Sequence, residues 1–586
     1  MNWDLQKLYK GFDDPDYLRD IKAFQDLTAA LLDRAQTLDI GVDRLEDILR
    51  DAQNMTALEM KTFFYALLTL AADANNGPAR AAYDRLMPSI NQVEQFYSAL
   101  SARLENADLE SLTASSPLIK EHSYLLHKLK RGAAHVMDPA LEPTVLKMQL
   151  TGGSAWSQLR DQLDSNLMID FELEGRSERL PLSAIRGMAH SADGEMRRRA
   201  YEAELAAYPR VEIPMAACLN GIKGEAITLC KLKQYDSVLD MALDVACMDR
   251  KTLDALMDAM QESLPMFRRY FRLKARMLGY DGGLKFYDLF APVGKLDAGY
   301  TVAAARNLLV RELGAFSPRM GRMIDRAFEE RWIDLYPREG KQGGAFCETM
   351  HPLGISYILA NFEGSYSSVS TLAHELGHAY QNECMKDVSI LQCDYPMPLA
   401  ETASIFNEML LAERMLASAP PEAEIALLEQ QISDAAQVIV DIMSRYLFEY
   451  EVIERRRDHA LSAREMCEIM LDAQRKTYGD GLDACCMHPY MWACKPHYYS
   501  TGTHFYNFPY AFGQLFAVGV YAIYQRKGAA FLPDYEKLLR DAGSGDVREV
   551  AASVGIDVAD RDFWRASLKV FEDKIDQLER LADGLR

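Results

Sequence analysis

Apolar residues recur at three- and four-residue spacing through most of this chain, the period of an α-helix buried along one face. Residues 16–32, 45–51, 57–72 and 80–104 carry it in the first hundred positions, and Asn75-Asn76-Gly77-Pro78 breaks it. The pattern returns over 182–188, 193–207 and 210–275, with a long amphipathic stretch at 251–278 stopped by Gly279-Tyr-Asp-Gly-Gly283. A helix pair is expected over 300–328, an amphipathic helix over 399–416 and more helix over 421–470. No internal repeat or low-complexity tract interrupts this order.

Non-helical segments are few. Residues 159–173 are the strongest such candidate of the first half, after the turn at Thr151-Gly-Gly-Ser-Ala155, and 285–292 reads as a short extended piece. Residues 335–347, with several glycines around a short apolar segment, read as an edge strand or an open loop. The β-branched and aromatic run 355–362 reads as its partner strand. Such an edge can take up an extended peptide as one more strand, which makes Gly343, Gly344 and Ala345 candidates for substrate backbone contacts.

That small sheet leads into the stretch 366–384, which holds His374-Glu375-Leu376-Gly377-His378. Four residues apart on a helix, the two histidines stack one turn above the other and can bind one zinc ion. The carboxylate between them is placed as a general base toward water. Ser367, Ser368 or Ser370 is available as N-cap, and Leu372, Ala373, Leu376, Ala379 and Tyr380 form the apolar face. Gly377 is a poor helix former, so its presence beside the histidines predicts a close backbone approach. A catalytic zinc wants a third ligand and an open position. Glu401, following Pro396-Met397-Pro398, fits that need. Ser404 and Glu408 share its helical face, and Glu408 is the candidate acceptor for the second N–H of a ligand histidine.

Residues 492–513 crowd two histidines and four tyrosines among glycines and prolines. Peptide hydrolysis develops charge on the carbonyl oxygen, which needs hydrogen-bond donors, and His497, Tyr499, Tyr506 and Tyr510 are the candidates. The net charge of −21 argues against nucleic acid and anionic membrane as partners, since both require a basic footprint. No apolar run reaches membrane-spanning length and no signal-peptide pattern opens the chain. Ten cysteines without a regular framework fit reduced thiols in a cytoplasmic protein. At 586 residues several cores are expected, divided here as 1–110, 111–205 and 206–586, with the candidate chemistry in the last.

Together these motifs resemble the oligoendopeptidase F branch of the thimet oligopeptidase family of zinc metallopeptidases. The likeness rests on Thr371-Leu-Ala-His-Glu-Leu-Gly-His378 and Glu401-Thr-Ala-Ser-Ile-Phe-Asn-Glu408, on Gly340-Lys-Gln-Gly-Gly-Ala-Phe-Cys347, and on Pro496-His-Tyr-Tyr499 with Phe505-Tyr-Asn-Phe-Pro-Tyr510. Trp3 with Leu8-Tyr9 extends it toward the N-terminus. The resemblance implies a mainly α, two-lobed molecule with a deep central channel and a small β-sheet beside the zinc-binding helix. It also implies zinc, one per chain, held by His374, His378 and Glu401, with Glu375 as base and His497 and the tyrosines as donors. The expected activity is endopeptidase cleavage of short, unfolded peptides. Phe508 stands where the family pattern suggests a tyrosine, so the spacing of the tyrosine cluster departs from it. An exopeptidase, a zinc-holding peptide-binding protein and a helical scaffold are the alternatives.

Overall fold

Helices dominate the computed structural model, which describes residues 1–138, 140–173, 175–294, 299–417 and 419–584. Among these residues there are two small sheets, and no helix is long and apolar enough to cross a membrane. Contacts group the chain into two units, each assembled from three separated segments.

The first unit comprises Met1–Val136, Ala298–Met415 and Ile523–Ile556. It opens with three long helices, Pro15–Thr37, Val42–Ala72 and Gly77–Leu104. The break read at Asn75-Asn76-Gly77-Pro78 is an N-cap: Asn76 Oδ1 accepts from Ala79 N–H, and Pro78 sits in the first turn where a missing N–H costs nothing. Tyr9, Phe12, Tyr17 and Tyr65 form an aromatic knot with ring centroids 4.9–5.4 Å apart. Trp3 packs on Phe346 and Tyr357, tying the N-terminus to the sheet.

That sheet has Ile355–Leu359 at its centre. Ile333–Asp334 pairs with it in parallel on one side, and Phe346–Met350 in antiparallel register on the other, from Phe346 opposite Leu359 to Met350 opposite Ile355. All five residues of the central strand are buried, which explains its unbroken apolar run. Phe346–Met350 is an edge strand, paired on one side only among the described residues, and it shares just Phe346 and Cys347 with the segment 335–347 expected as edge strand or open loop. The loop before it is pinned from behind. Lys341 Nζ donates to the carbonyls of Asp334 and Tyr336 at 3.1 and 2.9 Å, and Gln342 N–H donates to Ala71 O at 2.9 Å.

The second unit comprises Met137–Asp297, Leu416–Ala522 and Asp557–Arg586. Its core gathers Leu167, Ile169, Phe171, Met215, Leu219, Phe448, Trp492 and Tyr498. Buried ion pairs in this unit include Arg197–Asp288 at 2.8 Å, Lys223–Glu449 at 2.7 Å and Lys274–Glu429 at 2.6 Å. A π turn at Gln437–Asp441 joins the helices Pro421–Ala436 and Ile442–Arg456.

Two expectations are corrected. Residues 159–173 are not one non-helical piece: a helix, Gly153–Ser165, precedes the strand Met168–Leu173, which pairs with Arg176–Pro181 as a hairpin. Only the strand half shows alternating burial, with Ile169 and Phe171 inward. Residues 285–292 hold a single turn at Phe286–Asp288 rather than an extended piece, because Asp288 is drawn inward by Arg197 and by the Tyr280 hydroxyl at 2.7 Å. The contiguous division at 110/111 and 205/206 does not coincide with the two units. Turns mark where helices end, whereas allegiance follows packing: the helix Arg561–Gly584 packs on Arg250–Met277, some three hundred residues earlier.

Candidate metal centre

The motif helix, Tyr366–Met385, follows the central strand after a short turn. Its N-cap is Ser365, whose Oγ accepts from Ser368 N–H at 3.1 Å, and not any of the three serines expected from the sequence. Those three fall inside the first turns, where a side chain can no longer reach forward to an unpaired N–H. Glu401 sits at the junction between a short turn, Met397–Ala400, and the helix Thr402–Leu416.

The two elements cross at Gly377. A β-carbon there would lie 2.5 Å from both Ala403 O and Ser404 Cα, so only glycine permits the crossing. Asn407 Nδ2 secures it by donating to Ala373 O at 3.2 Å. The crossing brings Glu401 Oε2 to 3.3 Å from His374 Nε2 and 3.6 Å from His378 Nε2. The ligand atoms of all three residues lie within 4.8 Å of one another. Two ligands each about 2.1 Å from a tetrahedral zinc stand roughly 3.4 Å apart, so the donor set fits this metal and leaves a fourth position for water.

Each donor is oriented from outside. Glu408 Oε1 accepts from His374 Nδ1 at 2.5 Å, which turns Nε2 toward Glu401. The His378 ring is hydrogen-bonded to the backbone of Ala400. Ser404 Oγ donates to Glu401 Oε2 at 2.7 Å. Burial opposes charge on His374, but its bonds to Glu401 and Glu408 outweigh this and carry its pKa to about 10. Burial dominates at His378 and lowers it to about 4. Glu401, despite burial, is held ionised at about 2 by His374, His378 and Ser404. The arrangement therefore favours positive charge between its carboxylates. Glu375 is 5% exposed, and burial lifts its carboxyl to about 7, within the range suited to a proton carrier.

Gly343 and Gly344 are exposed in the loop that enters the edge strand, and Ala345 is half-buried. Gly344 has φ +79°, and its carbonyl accepts from Asn361 Nδ2 at 2.8 Å. In the second unit, His497, Tyr506 and Tyr510 form one cluster with ring centroids 5.3–6.0 Å apart, all half-buried. Burial, with Arg445 and Lys495 nearby, holds the His497 imidazole below its usual range, hence neutral at pH 7. Tyr499 departs from the expectation. It is 1% exposed inside the hydrophobic core, its ring 5.3 Å below the Arg160 guanidinium. Tyr498 and Tyr499, side by side on the tight turn Pro496–Tyr499, are both buried in that core.

Sequence reasoning missed Asn407, which a same-face count from Ser404 could have found. It also missed Lys223 and Glu449, whose pairing depends on two helices far apart in the chain and leaves no local signal.

The family model described as peptidase family M3, a family of metallopeptidases, matches residues 187–570. The group B oligopeptidase PepB of Streptococcus agalactiae is 25% identical over 85% of this chain and 82% of its own. An oligoendopeptidase F homolog of Lactococcus lactis is 23% identical over 100% of this chain and 97% of its own. A solved structure from Chlamydophila abortus superposes with a TM-score of 0.85 at 24% identity, covering 99% of this chain and 98% of that one. The oligoendopeptidase F of Enterococcus faecium gives 0.69 at 18%, covering 96% and 98%. These two likenesses show a shared, mainly helical fold. With two thirds of its length matched by the family model and the paired histidines crossing an acidic third ligand, the chain belongs to peptidase family M3.

Proposed function

We propose that this peptidase is a zinc-dependent endopeptidase that hydrolyses internal bonds of short, unfolded peptides. The observation that carries the reading is the trio His374, His378 and Glu401, with His374 turned inward by Glu408. Relatives described as oligopeptidases and oligoendopeptidases support the choice of substrate size and of internal cleavage. One zinc per chain, when bound, supplies Lewis acidity toward water and the peptide carbonyl. Glu375 Oε accepts the proton of the attacking water and passes it to the leaving amine. His497, Tyr506 and Tyr510 donate hydrogen bonds to the peptide under attack, and Tyr499, buried in the core, takes no part. The open edge of Phe346–Met350, with Gly343, Gly344 and Ala345 before it, binds the substrate backbone as an added strand. The ten free cysteines suit a reducing, cytoplasmic setting.

The test is a peptide of about ten residues, the reach of an extended chain on one strand and its flanks, blocked at both ends and incubated with and without chelator. Internal fragments by mass, lost with chelator and regained with zinc, support the proposal. Glu375→Gln should keep stoichiometric zinc and lower kcat by about three orders of magnitude. Cleavage restricted to unblocked termini would indicate an exopeptidase, and intact peptide with zinc bound would indicate a binding protein.

A further inference from the structure

The segment 504–507 carries Tyr506 and leads into the helix that carries Tyr510, and it is held in an unusual way. Phe505 has φ +53°, in the left-handed region that a β-carbon disfavours. Its ring is buried near Tyr446 and Tyr450, with centroids 5.5 and 6.5 Å away. Besides one bond of its own, Asn507 N–H to Phe505 O at 2.7 Å, the segment is held by a single carboxylate. Glu449 Oε1 accepts Phe505 N–H at 3.0 Å, and Glu449 Oε2 accepts Asn507 Nδ2 at 2.9 Å. Asn507 Oδ1 in turn accepts Phe508 N–H at 2.7 Å, at the start of the helix Phe508–Lys527. Lys223 Nζ lies 2.7 Å from Glu449 Oε1 and 3.4 Å from His504 Nδ1.

Lys223 and Glu449 are both essentially inaccessible to water. A buried ion pair is a weak source of stability, since apolar residues of equal volume often serve as well. Within this pair Glu449 turns both its oxygens to the two residues that flank Tyr506, in a segment whose backbone is strained. Strain of that kind persists where surrounding structure over-determines it, commonly at functional sites.

We propose that the Lys223–Glu449 pair is a positioning device for the aromatic cluster: it holds residues 504–507 in the conformation that presents Tyr506 and Tyr510 to the peptide. The proposal rests on the reading that these tyrosines donate to the substrate. Its consequence is a split between rate and affinity. Donors displaced by a fraction of an ångström lose their grip on the developing charge, while ground-state binding is little changed.

The test measures kcat and KM on the blocked peptide for zinc-loaded protein carrying Glu449→Gln, Lys223→Met with Glu449→Gln, Asn507→Ala, Tyr506→Phe, Tyr510→Phe and Tyr506→Phe with Asn507→Ala. Asn507→Ala cuts one of the two links while leaving the ion pair whole, so it decides the matter if the paired variants fail to fold. Each folded positioning variant should lose about 10- to 100-fold in kcat with KM within about threefold and zinc still stoichiometric. Tyr506→Phe should then add little on the Asn507→Ala background, because the donor is already misplaced. Wild-type kcat in Asn507→Ala, or losses that multiply with Tyr506→Phe, overturn the proposal. Wild-type kinetics in Tyr506→Phe and Tyr510→Phe alone would instead remove the donor role on which it rests.

Discussion

Gly377→Ala isolates the crossing that assembles the metal centre. In an ordinary helix this change stabilises by about 1 kcal/mol, because alanine loses less backbone entropy than glycine. Here the added β-carbon would meet Ala403 O, Ser404 Cα and Ala403 C at 2.5, 2.5 and 2.7 Å. These are backbone atoms and cannot rotate aside. Ordinary contact begins at 3.4 Å, so the helices must separate by 3.4 − 2.5 = 0.9 Å. Overpacking of that order costs about 1–3 kcal/mol, which cancels or exceeds the propensity gain. The larger effect is on the metal. Opening the crossing carries Glu401, two residues before Ala403, away from His374 and His378, whereas metal–ligand distances tolerate only about 0.2 Å. Zinc affinity should fall by at least about 10- to 100-fold, the loss typical of a disturbed ligand shell. Competition with a chromogenic chelator reads the affinity, and thermal melts of metal-free protein read the packing. Gly187→Ala is the control, since Gly187 is helical with open space where its β-carbon would go. If Gly377→Ala bound zinc like the parent and melted like the control, the crossing would not be what sets the ligand geometry.

Three other outcomes are expected. Glu408→Ala frees the His374 ring and should weaken zinc about 10- to 100-fold in the same competition assay, with the protein's melting otherwise preserved. Chelation should abolish cleavage and lower the melting temperature, since free zinc at 100 times its Kd contributes about 2.7 kcal/mol by mass action. The third concerns Glu204 in the second unit, 6% exposed, paired with Arg186, accepting from the Tyr208 hydroxyl at 2.7 Å and 3.2 Å from His488 Nε2. Burial opposes its ionisation, yet His488, Arg186 and Tyr208 prevail and hold its pKa at about 2. A carboxyl depressed in the folded state contributes its stability above its unfolded value of about 4.3 and loses it as pH falls toward 2, roughly 3 kcal/mol in all. Glu204→Gln should therefore melt lower at pH 7 and show a flatter profile between pH 5 and 2.

What the sequence revealed here was local. Two histidines four apart, a carboxylate between them and a glycine beside them define one face of one helix, and the structure adds only the partner that crosses it. Glu401 and Glu408 were legible because both lie on one helical face, on the first element able to return to the motif. Tyr499 was not, because a tyrosine on a turn reads the same whether a core takes its ring, as it takes both Tyr498 and Tyr499, or leaves it open. Arg197 stands in a run of three arginines that reads as a charged surface, and only packing shows it 4% exposed against Asp288, ninety-one residues on. Lys223 and Glu449 carry the same lesson over a longer separation. The interleaving of the two units was illegible for this reason: every crossing is a tertiary choice made by faces that local period cannot rank.

That interleaving also sets an order in time. The motif helix is completed by chain that emerges late in synthesis: Tyr380 hydroxyl bonds Glu536 at 2.5 Å, Gln381 Nε2 donates to Leu539 O at 2.6 Å, and Gly543 fits against the backbone of Gln392. Between Gln381 and Leu539 nearly 160 residues must be made. At about 5–20 residues per second the ribosome takes roughly 8–32 s over them, far longer than a helix needs to form. For that interval Tyr380 and Gln381 face water or whatever chaperone covers them, and the motif helix waits on residues 536–543 to cover its far side.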